Sequence, residues 1–254
     1  MFPRRLAILA SVLIGCATLG PQLEWGVQYT TPGTQLSFED RGSPTVPLGC
    51  IGIKNCPYVI VRIMSYRIRA SGFPQGIPLT LWKKRLGRLP EVVRSDVFID
   101  ESGTVVQPHH EFGPFAMETG GVFVKGEPYE VTLISADQKL RAFAKIIPFP
   151  NEASDGRCLL TLELLSTKGE AVAILGQGFE ANEEIVTVSE YTQDKTDRVE
   201  TRFKTPPDGK FVIIESPPVM AKQSGAASFT AIGKSCKLTV SYEWGVPLPE
   251  PARM

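Results

Sequence analysis

The sequence predicts an all-β protein with two tandem antiparallel β-sandwiches. Short apolar runs, bounded by Gly, Pro and Asp, follow one another from residue 59 to residue 245, and this spacing is typical of sandwich strands. Proline accounts for 21 of the 254 residues, which suits loop-rich sandwiches because proline cannot donate to a central strand ladder. No long segment has helical periodicity, and the best helix candidate, at 81–89, is limited by Gly87 and Pro90.

An internal repeat indicates two copies of one unit. The motif Ile-Arg-Ala-Ser-Gly-Phe at 68–73 returns as Ile-Leu-Gly-Gln-Gly-Phe at 174–179, which is 106 positions later, and the Asp-Gly turn at 208–209 has its counterpart around Gly103 at the same offset. Two separated motifs at one offset indicate duplication. The offset then falls to 99 between Gly126 and Gly225, so the first copy holds seven extra residues before Gly126.

Each copy is predicted to be a series of strands joined by turns. The predicted strands are 59–63, 66–70, 79–82, 97–99, 129–134 and 140–147 in the first copy, and 158–165, 171–175, 185–188, 201–203, 211–214, 227–232 and 237–242 in the second. These strands place the first sandwich at 49–150 and the second at 154–246, with a C-terminal tail at 247–254. We expect residues 16–48 to be a tether that partly packs on the first sandwich.

The N-terminal residues predict export and a lipid anchor. Arg4 and Arg5 precede an apolar run at 6–14 that is too short to span a bilayer. The run ends in Leu-Ile-Gly-Cys at 13–16, which resembles the lipobox of bacterial lipoproteins. This resemblance implies that the signal peptide 1–15 is removed and that the Cys16 thiol carries lipid. An ordinary secretory signal with Cys16 as an incidental thiol is the alternative.

The same resemblance implies a place in the cell envelope, facing the periplasm or the exterior. Ala17 follows the cysteine, whereas Asp at this position tends to retain Gram-negative lipoproteins at the inner membrane, so the outer membrane is favoured if the cell has one. The chain has 27 basic and 27 acidic residues, and the leader removes two arginines. This near-neutral balance gives no electrostatic case for a nucleic-acid partner. The lipid on Cys16 is the expected membrane contact.

Four further cysteines are available for disulfides, which an exported compartment permits. Four thiols allow three pairings, and we favour Cys50 with Cys56 and Cys158 with Cys236. Cys158 opens the first predicted strand of the second sandwich and Cys236 begins its last, and such strands often run near each other. A zinc site is the alternative, although no Cys-x-x-Cys spacing supports it. We predict no metal and no cofactor.

The segment that breaks the repeat contains the two histidines of the chain, His109 and His110. Adjacent side chains on a strand point apart, so a metal or acid–base site would need ligands from elsewhere. An exposed polar loop is the simpler interpretation. Phe112 and Phe115 could make this loop an apolar contact patch, since loops on rigid sandwiches often carry binding. We therefore expect the insertion around His109 to Met117 to matter for a partner and not for folding, so that a short Gly-Ser turn could replace residues 107–120.

A basic run, Trp-Lys-Lys-Arg-Leu-Gly-Arg at 82–88, is the second candidate surface. It could lie on anionic lipid headgroups or glycan phosphates. The alternative is a strand whose Trp82 enters the core while its cations stay solvated. Val188 occupies the same repeat position as Trp82, which favours the core interpretation.

The sequence lacks the common signatures of enzymes. It contains no Gly-x-Ser-x-Gly, phosphate loop or dinucleotide fingerprint, and we predict no catalytic residue. The Gly-Phe and Asp-x-Gly pattern over 59–245 resembles the immunoglobulin-like sandwich modules of bacterial surface proteins, which are commonly spacers, adhesive domains or protein-binding domains. The leading prediction is a non-enzymatic binding or scaffold module for another envelope protein. A carbohydrate- or envelope-polymer-binding protein, and a metal-dependent enzyme at the His109 loop, are the alternatives.

Overall fold

The computed structural model describes residues 29–42, 45–48, 59–108, 115–192, 195–217 and 224–245. Among these residues there is no helix, and the strands form four antiparallel sheets. Two separate clusters of buried side chains each lie between a pair of sheets. The predicted all-β sandwich class is therefore confirmed. The described part of the chain contains no helix that is long and apolar enough to cross a membrane.

The first pair of sheets is formed by ten strands. They are β1 (Gln35–Asp40), β2 (Thr45–Leu48), β3 (Val59–Ser71), β4 (Leu79–Arg85), β5 (Glu91–Ile99), β6 (Val105–Gln107), β7 (Phe115–Ala116), β8 (Glu118–Val124), β9 (Tyr129–Ser135) and β10 (Arg141–Ile146). In one sheet β3 pairs with β1, β2 and β8, and the other sheet has the order β10-β9-β4-β5-β6-β7.

The second pair of sheets is formed by the remaining strands. They are β11 (Asn151–Ser154), β12 (Leu159–Leu164), β13 (Val172–Gln177), β14 (Glu184–Thr192), β15 (Thr196–Lys204), β16 (Phe211–Glu215), β17 (Gly225–Ile232) and β18 (Lys237–Trp244). One sheet has the order β11-β12-β13-β16 and the other has the order β15-β14-β17-β18.

Both cores follow from the alternation of side chains along the strands. In β18 every second residue is buried, which places Leu238, Val240, Tyr242 and Trp244 in the second core. In β3 the residues Met64, Tyr66, Ile68 and Ala70 alternate in the same way and enter the first core. Period-two burial with polar residues on the opposite face is the pattern of an antiparallel sheet that is solvated on one side.

Three boundaries differ from the sequence prediction. The predicted strands 59–63 and 66–70 are one strand, β3, because Met64 and Ser65 continue the alternation without a turn residue. Residues 35–48, expected in a tether, include β1 and β2, which pair with β3. The helix candidate at 81–89 is the end of β4 followed by a turn at Gly87, where φ is +70°.

The second sandwich begins slightly earlier than its predicted first residue, 154. Strand β11 pairs antiparallel with β12 from Asn151 onward, and the Asn151 side-chain amide donates to the Ser241 carbonyl oxygen at 2.9 Å. The connection between the two cores is therefore part of the second sheet from Asn151.

The two sandwiches meet through backbone and apolar contacts. The Gly126 amide donates to the Phe149 carbonyl oxygen at 2.8 Å, and the Leu164 amide donates to the Gly126 carbonyl oxygen at 2.9 Å. Val124 of β8 is a member of the second core, and Val122 packs against that core. The end of the first sandwich therefore closes one end of the second.

Candidate functional site

Several of the residues proposed from the sequence lie outside the described part of the chain. They are the lipid-attachment residue Cys16, the pair Cys50 and Cys56, and the binding candidates His109, His110 and Phe112. Their roles stay predictions. The structure describes Cys158, Cys236 and Phe115, the basic run at 82–88, and the strands that flank the His109 loop.

The disulfide between Cys158 and Cys236 is present, as predicted. It joins the residue before β12 to the residue before β18, with 6.2 Å between the two Cα atoms. The Asp155 carboxylate lies in the same turn and accepts the Cys158 and Arg157 amides at 2.7 and 3.0 Å. These two backbone hydrogen bonds lower the pKa of Asp155.

Asp155, Cys158 and Cys236 have ligand atoms within 4.8 Å of one another. Thiolates with a carboxylate at this spacing could coordinate a metal ion. Here the two sulfurs are joined to each other, so neither is a thiolate. The disulfide accounts for the proximity of the two cysteines.

The segment that breaks the repeat is partly built into the sheets. Phe115 lies in β7 with 51% of its surface exposed, and Met117, the next residue after this strand, packs against the first core. The Met117 amide donates to the Val105 carbonyl oxygen at 2.7 Å, and the buried Thr119 hydroxyl hydrogen-bonds the Tyr129 hydroxyl. The expectation that all of 107–120 is dispensable for folding is therefore wrong.

Strand β8 gives this segment its structural role. Seven of its residues pair with β3, from Glu118 opposite Arg67 to Val124 opposite Val61. Burial raises the pKa of Tyr129 to about 12, although the Thr119 hydrogen bond favours its ionised form. A short turn that replaced 107–120 would remove β7 and the start of β8 and would expose the Tyr129 side of the core.

The basic run lies on β4 and in the turn after it, and its cations have acidic partners. Lys83 contacts Glu91 at 3.1 Å, and Lys84 contacts Glu130 at 3.2 Å. The cations were expected to stay solvated, and Lys83 and Lys84 are partly exposed, but the paired strands also bring a carboxylate beside each of these two lysines.

Trp82 lies on the outer face of the first sandwich and not in its core. Leu79 and Leu81 occupy the inner face of β4 and are buried, so the alternation turns Trp82 outward, where it is half-buried. Trp82 stands opposite Thr132 of β9, which stands opposite Phe143 of β10. On its other side Trp82 stands opposite Val92 of β5. Two aromatic side chains and one exposed valine therefore share one row across four strands.

Arg85, the third cation of the basic run, forms a buried ion pair with Glu127 at the end of the first sandwich that contacts the second. Its guanidinium donates to both Glu127 carboxylate oxygens at 2.7 to 2.9 Å and to the Val122 carbonyl oxygen at 2.6 Å. The Glu127 side chain is 2% exposed, and Arg85 also lies 4.8 Å from the Phe123 ring centroid. Burial raises the pKa of Glu127, and the Arg85 charge opposes this shift.

A second ion pair links the two sandwiches directly. The Lys145 ammonium at the end of β10 donates to both Glu163 carboxylate oxygens of β12 at 2.8 Å. The Glu163 side chain is only 10% exposed. This contact holds the two sandwiches against each other by groups that would be costly to leave unpaired.

The second sandwich exposes an apolar edge at β16. This strand pairs with β13 on one side and with no second strand among the described residues. Val212 and Ile214 are 64% and 62% exposed, while Phe211 is buried. From the inner side, the Glu215 carboxylate accepts the Ser189 hydroxyl at 3.1 Å and also the Tyr191 hydroxyl. The strand is therefore held in place on its inner face and open along its edge.

The neighbouring edge strand in the other sheet, β15, has a different composition. Between Thr196 and Lys204 it carries Asp197, Arg198, Glu200 and Arg202, and nearly all of it is exposed. Alternating charges protect an edge strand from pairing with other chains. The four residues of β16 from Phe211 to Ile214 carry no charge.

No protein-family model matches the chain, and no curated protein matches it at a significant level.

Proposed function

We propose that this protein is a lipid-anchored, non-enzymatic binding or scaffold module of the bacterial cell envelope that acts on another envelope protein. The observation that carries the proposal is the Leu-Ile-Gly-Cys motif at 13–16 behind a short basic and apolar leader. The proposal places the mature protein on the periplasmic or exterior side of a membrane, with the lipid on Cys16 as its membrane contact. In a Gram-negative cell the favoured membrane is the outer one.

The fold supports a module that displays surfaces. The buried carboxylates have structural partners: Glu127 binds Arg85, Glu163 binds Lys145, and Glu183 accepts the Glu180 and Lys234 amides at 2.6 and 2.7 Å. These groups stabilise turns and the contact between the sandwiches. A body held in this way can present a fixed surface to a partner.

We further propose that each sandwich belongs to the immunoglobulin-like class. In the second copy the orders β12-β13-β16 and β15-β14-β17-β18 support this assignment, since such domains pair a sheet built from strands A, B and E with a sheet built from C, F and G. Domains of this class carry many unrelated functions, so this assignment supports the architecture and leaves the activity to the surfaces.

The anchoring is tested by mass spectrometry of the mature N-terminal peptide. We expect a peptide that begins at Cys16 and carries lipid, and we expect Cys16→Ser to lack the modification. Envelopes of both strains are then cross-linked and the protein is purified. Recovery of an envelope protein with the wild type, but not with Cys16→Ser, supports the function. An unmodified Cys16 in the wild type would refute the anchoring.

The row across the outer face of the first sandwich favours a second candidate, the binding of an envelope polysaccharide. Trp82 and Phe143 offer two aromatic faces in line, and the Lys84–Glu130 pair lies one row away. We expect Trp82→Ala with Phe143→Ala to abolish co-sedimentation with isolated cell-wall polymer. Val199→Ala, on exposed β15, is the matched control. Equal co-sedimentation of both variants would refute this candidate.

A further inference from the structure

We propose that the free edge of β16 pairs antiparallel with β16 of a second copy of this chain and forms a symmetric dimer. The dimer would join two four-stranded sheets into one continuous sheet. This inference goes beyond the proposed function, because it needs no lipid and no other protein.

Strand β16 uses one side for the ladder with β13, where Val212 stands opposite Leu175 and Ile214 opposite Ala173. Among the described residues no strand pairs with its other side, and an extended strand is the occupant that satisfies such a row of alternating backbone donors and acceptors.

An antiparallel pairing centred on Ile213 sets Val212 of each copy opposite Ile214 of the other, on the outer face of both sheets. β-Branched pairs directly opposite each other are favourable across an antiparallel ladder. Val212 and Ile214 are among the most exposed apolar side chains of the described residues. The pairing therefore covers four exposed aliphatic side chains in one contiguous patch, next to the partly exposed Leu175 of each copy.

Lys210 precedes the strand and is exposed, whereas the Glu215 carboxylate at its end stays on the inner face with Ser189 and Tyr191. In an antiparallel pairing the two Lys210 side chains lie at opposite ends of the interface, whereas a parallel pairing would align these like charges. The strand is thus complementary to itself in the antiparallel direction, as a two-fold interface requires. Strand β15, with its alternating charges, lacks such an apolar stretch.

Sedimentation velocity of the full chain tests the proposal, with detergent micelles in large excess over chains. We expect the wild type to pass from one chain to two chains as its concentration rises. Val212→Lys with Ile214→Lys would place four cations within the interface, and we expect the dissociation constant to rise by about tenfold or more. Val199→Lys is the matched control, because Val199 is 52% exposed on β15 and its replacement should leave the dimer unchanged.

A cross-linking experiment tests the register. Val212→Cys with Ile214→Cys should give an intermolecular disulfide on mild oxidation, since cross-strand Cβ atoms lie about 4.5–5.5 Å apart. Val199→Cys should not. Thermal unfolding of every variant confirms that the fold is retained, as expected for exposed positions.

Three results would overturn the proposal. One is a wild type that stays a single chain at every concentration. Another is a dimer that survives Val212→Lys with Ile214→Lys. The third is a wild type that stays a single chain and binds a different envelope protein, when Val212→Lys with Ile214→Lys abolishes that binding. This result would assign the β16 edge to that partner. Failure of the dimer would leave lipid attachment at Cys16 unaffected, so the two proposals fail separately.

Discussion

The two sandwiches hold their last strands by different means. In the second, a disulfide joins the residue before β18 to the residue before β12. In the first, the segment before β1 binds the start of β10: the Thr31 amide donates to the Arg141 carbonyl oxygen at 2.8 Å, and the Thr34 hydroxyl lies 2.7 Å from the same oxygen. Two copies of one unit therefore use a covalent link in one case and hydrogen bonds in the other.

A pair of equivalent glycines shows that these segments correspond. Gly72 and Gly178 have φ values of +79° and +82°. A methyl group on Gly72 would lie 1.9 Å from the Gly33 carbonyl oxygen, and one on Gly178 would lie 2.2 Å from the Arg157 carbonyl oxygen. The residues before β1 thus occupy in the first sandwich the place that the residues before β12 occupy in the second. The first sandwich therefore begins earlier in the chain than the sequence motifs indicate.

Removal of the disulfide should cause the largest loss of stability, and it should be confined to the second sandwich. Cys158→Ala with Cys236→Ala opens a loop of 78 residues, for which the loop-entropy model gives about 4.5 kcal/mol. Alanine is suitable because both positions are buried. We expect calorimetry to show a lower transition for the second sandwich and a first sandwich that unfolds almost as before. An unchanged scan would mean that the covalent link does not stabilise the second sandwich.

Breaking the buried Arg85–Glu127 ion pair should cause the second-largest loss of stability. Glu127→Ala leaves the Arg85 guanidinium without its carboxylate, and breaking a buried pair in this way costs about 3–5 kcal/mol. Arg85→Met with Glu127→Leu is the matched control, because it removes both charges and should cost less. The measurement is chemical unfolding of both variants. A double variant less stable than Glu127→Ala would contradict this account.

A smaller change tests the hydrogen-bonded tie of the first sandwich. Thr34→Val keeps the shape of the 4% exposed side chain and removes its hydroxyl from the Thr31 and Arg141 carbonyl oxygens. We expect a loss of about 1 kcal/mol, as for a typical intramolecular hydrogen bond, in the transition of the first sandwich. Thr30→Val serves as the comparison and should cost less, because the Thr30 hydroxyl accepts the Phe143 amide in a longer, exposed hydrogen bond of 3.2 Å. Destabilisation of the second sandwich instead would show that the tie is not local.

The smallest expected effect on stability concerns the His109 loop. Replacing residues 109–114 by a Gly-Ser sequence of equal length leaves Gln107 of β6 and Phe115 of β7 in place. We expect the free energy of unfolding to change by no more than about 0.5 kcal/mol, together with loss of at least one cross-linked envelope partner. Phe115→Ala tests the exposed end of the proposed patch. Retention of every partner in both variants would place the binding surface elsewhere.

Much of the second sandwich could be predicted from local signals. Six of its seven predicted strands overlap β12, β13, β14, β16, β17 and β18, and the Lys-Gly turn at 168–169 joins β12 to β13 with Gly169 at φ +66°. The remaining prediction, 201–203, lies inside the longer β15. Each hairpin has its turn residues next to the strands that it joins, so the pairing can be found within a short window.

The first sandwich was harder to predict from the sequence because its strands pair with partners that are distant along the chain. Nothing near Gln35 indicates that β1 pairs with Ser71 at the end of β3, or that β8 pairs with the same strand. Trp82 was misplaced for another reason. Its repeat equivalent Val188 is buried, at 6% exposure, but it lies on the face of β14 opposite to Ile185 and Tyr191 and is not a member of the second core cluster. The shared repeat position therefore did not predict which side chain enters the core between the sheets.

The pairing of β11 with β12 limits how the molecule can be divided. A fragment that starts at residue 154, the predicted boundary, would lack β11 and would lose the Asn151 hydrogen bond to Ser241. It would also leave Leu164 without the Gly126 carbonyl that its amide binds. A fragment of the second sandwich should therefore begin no later than Asn151, and it would still lose the backbone contact with Gly126.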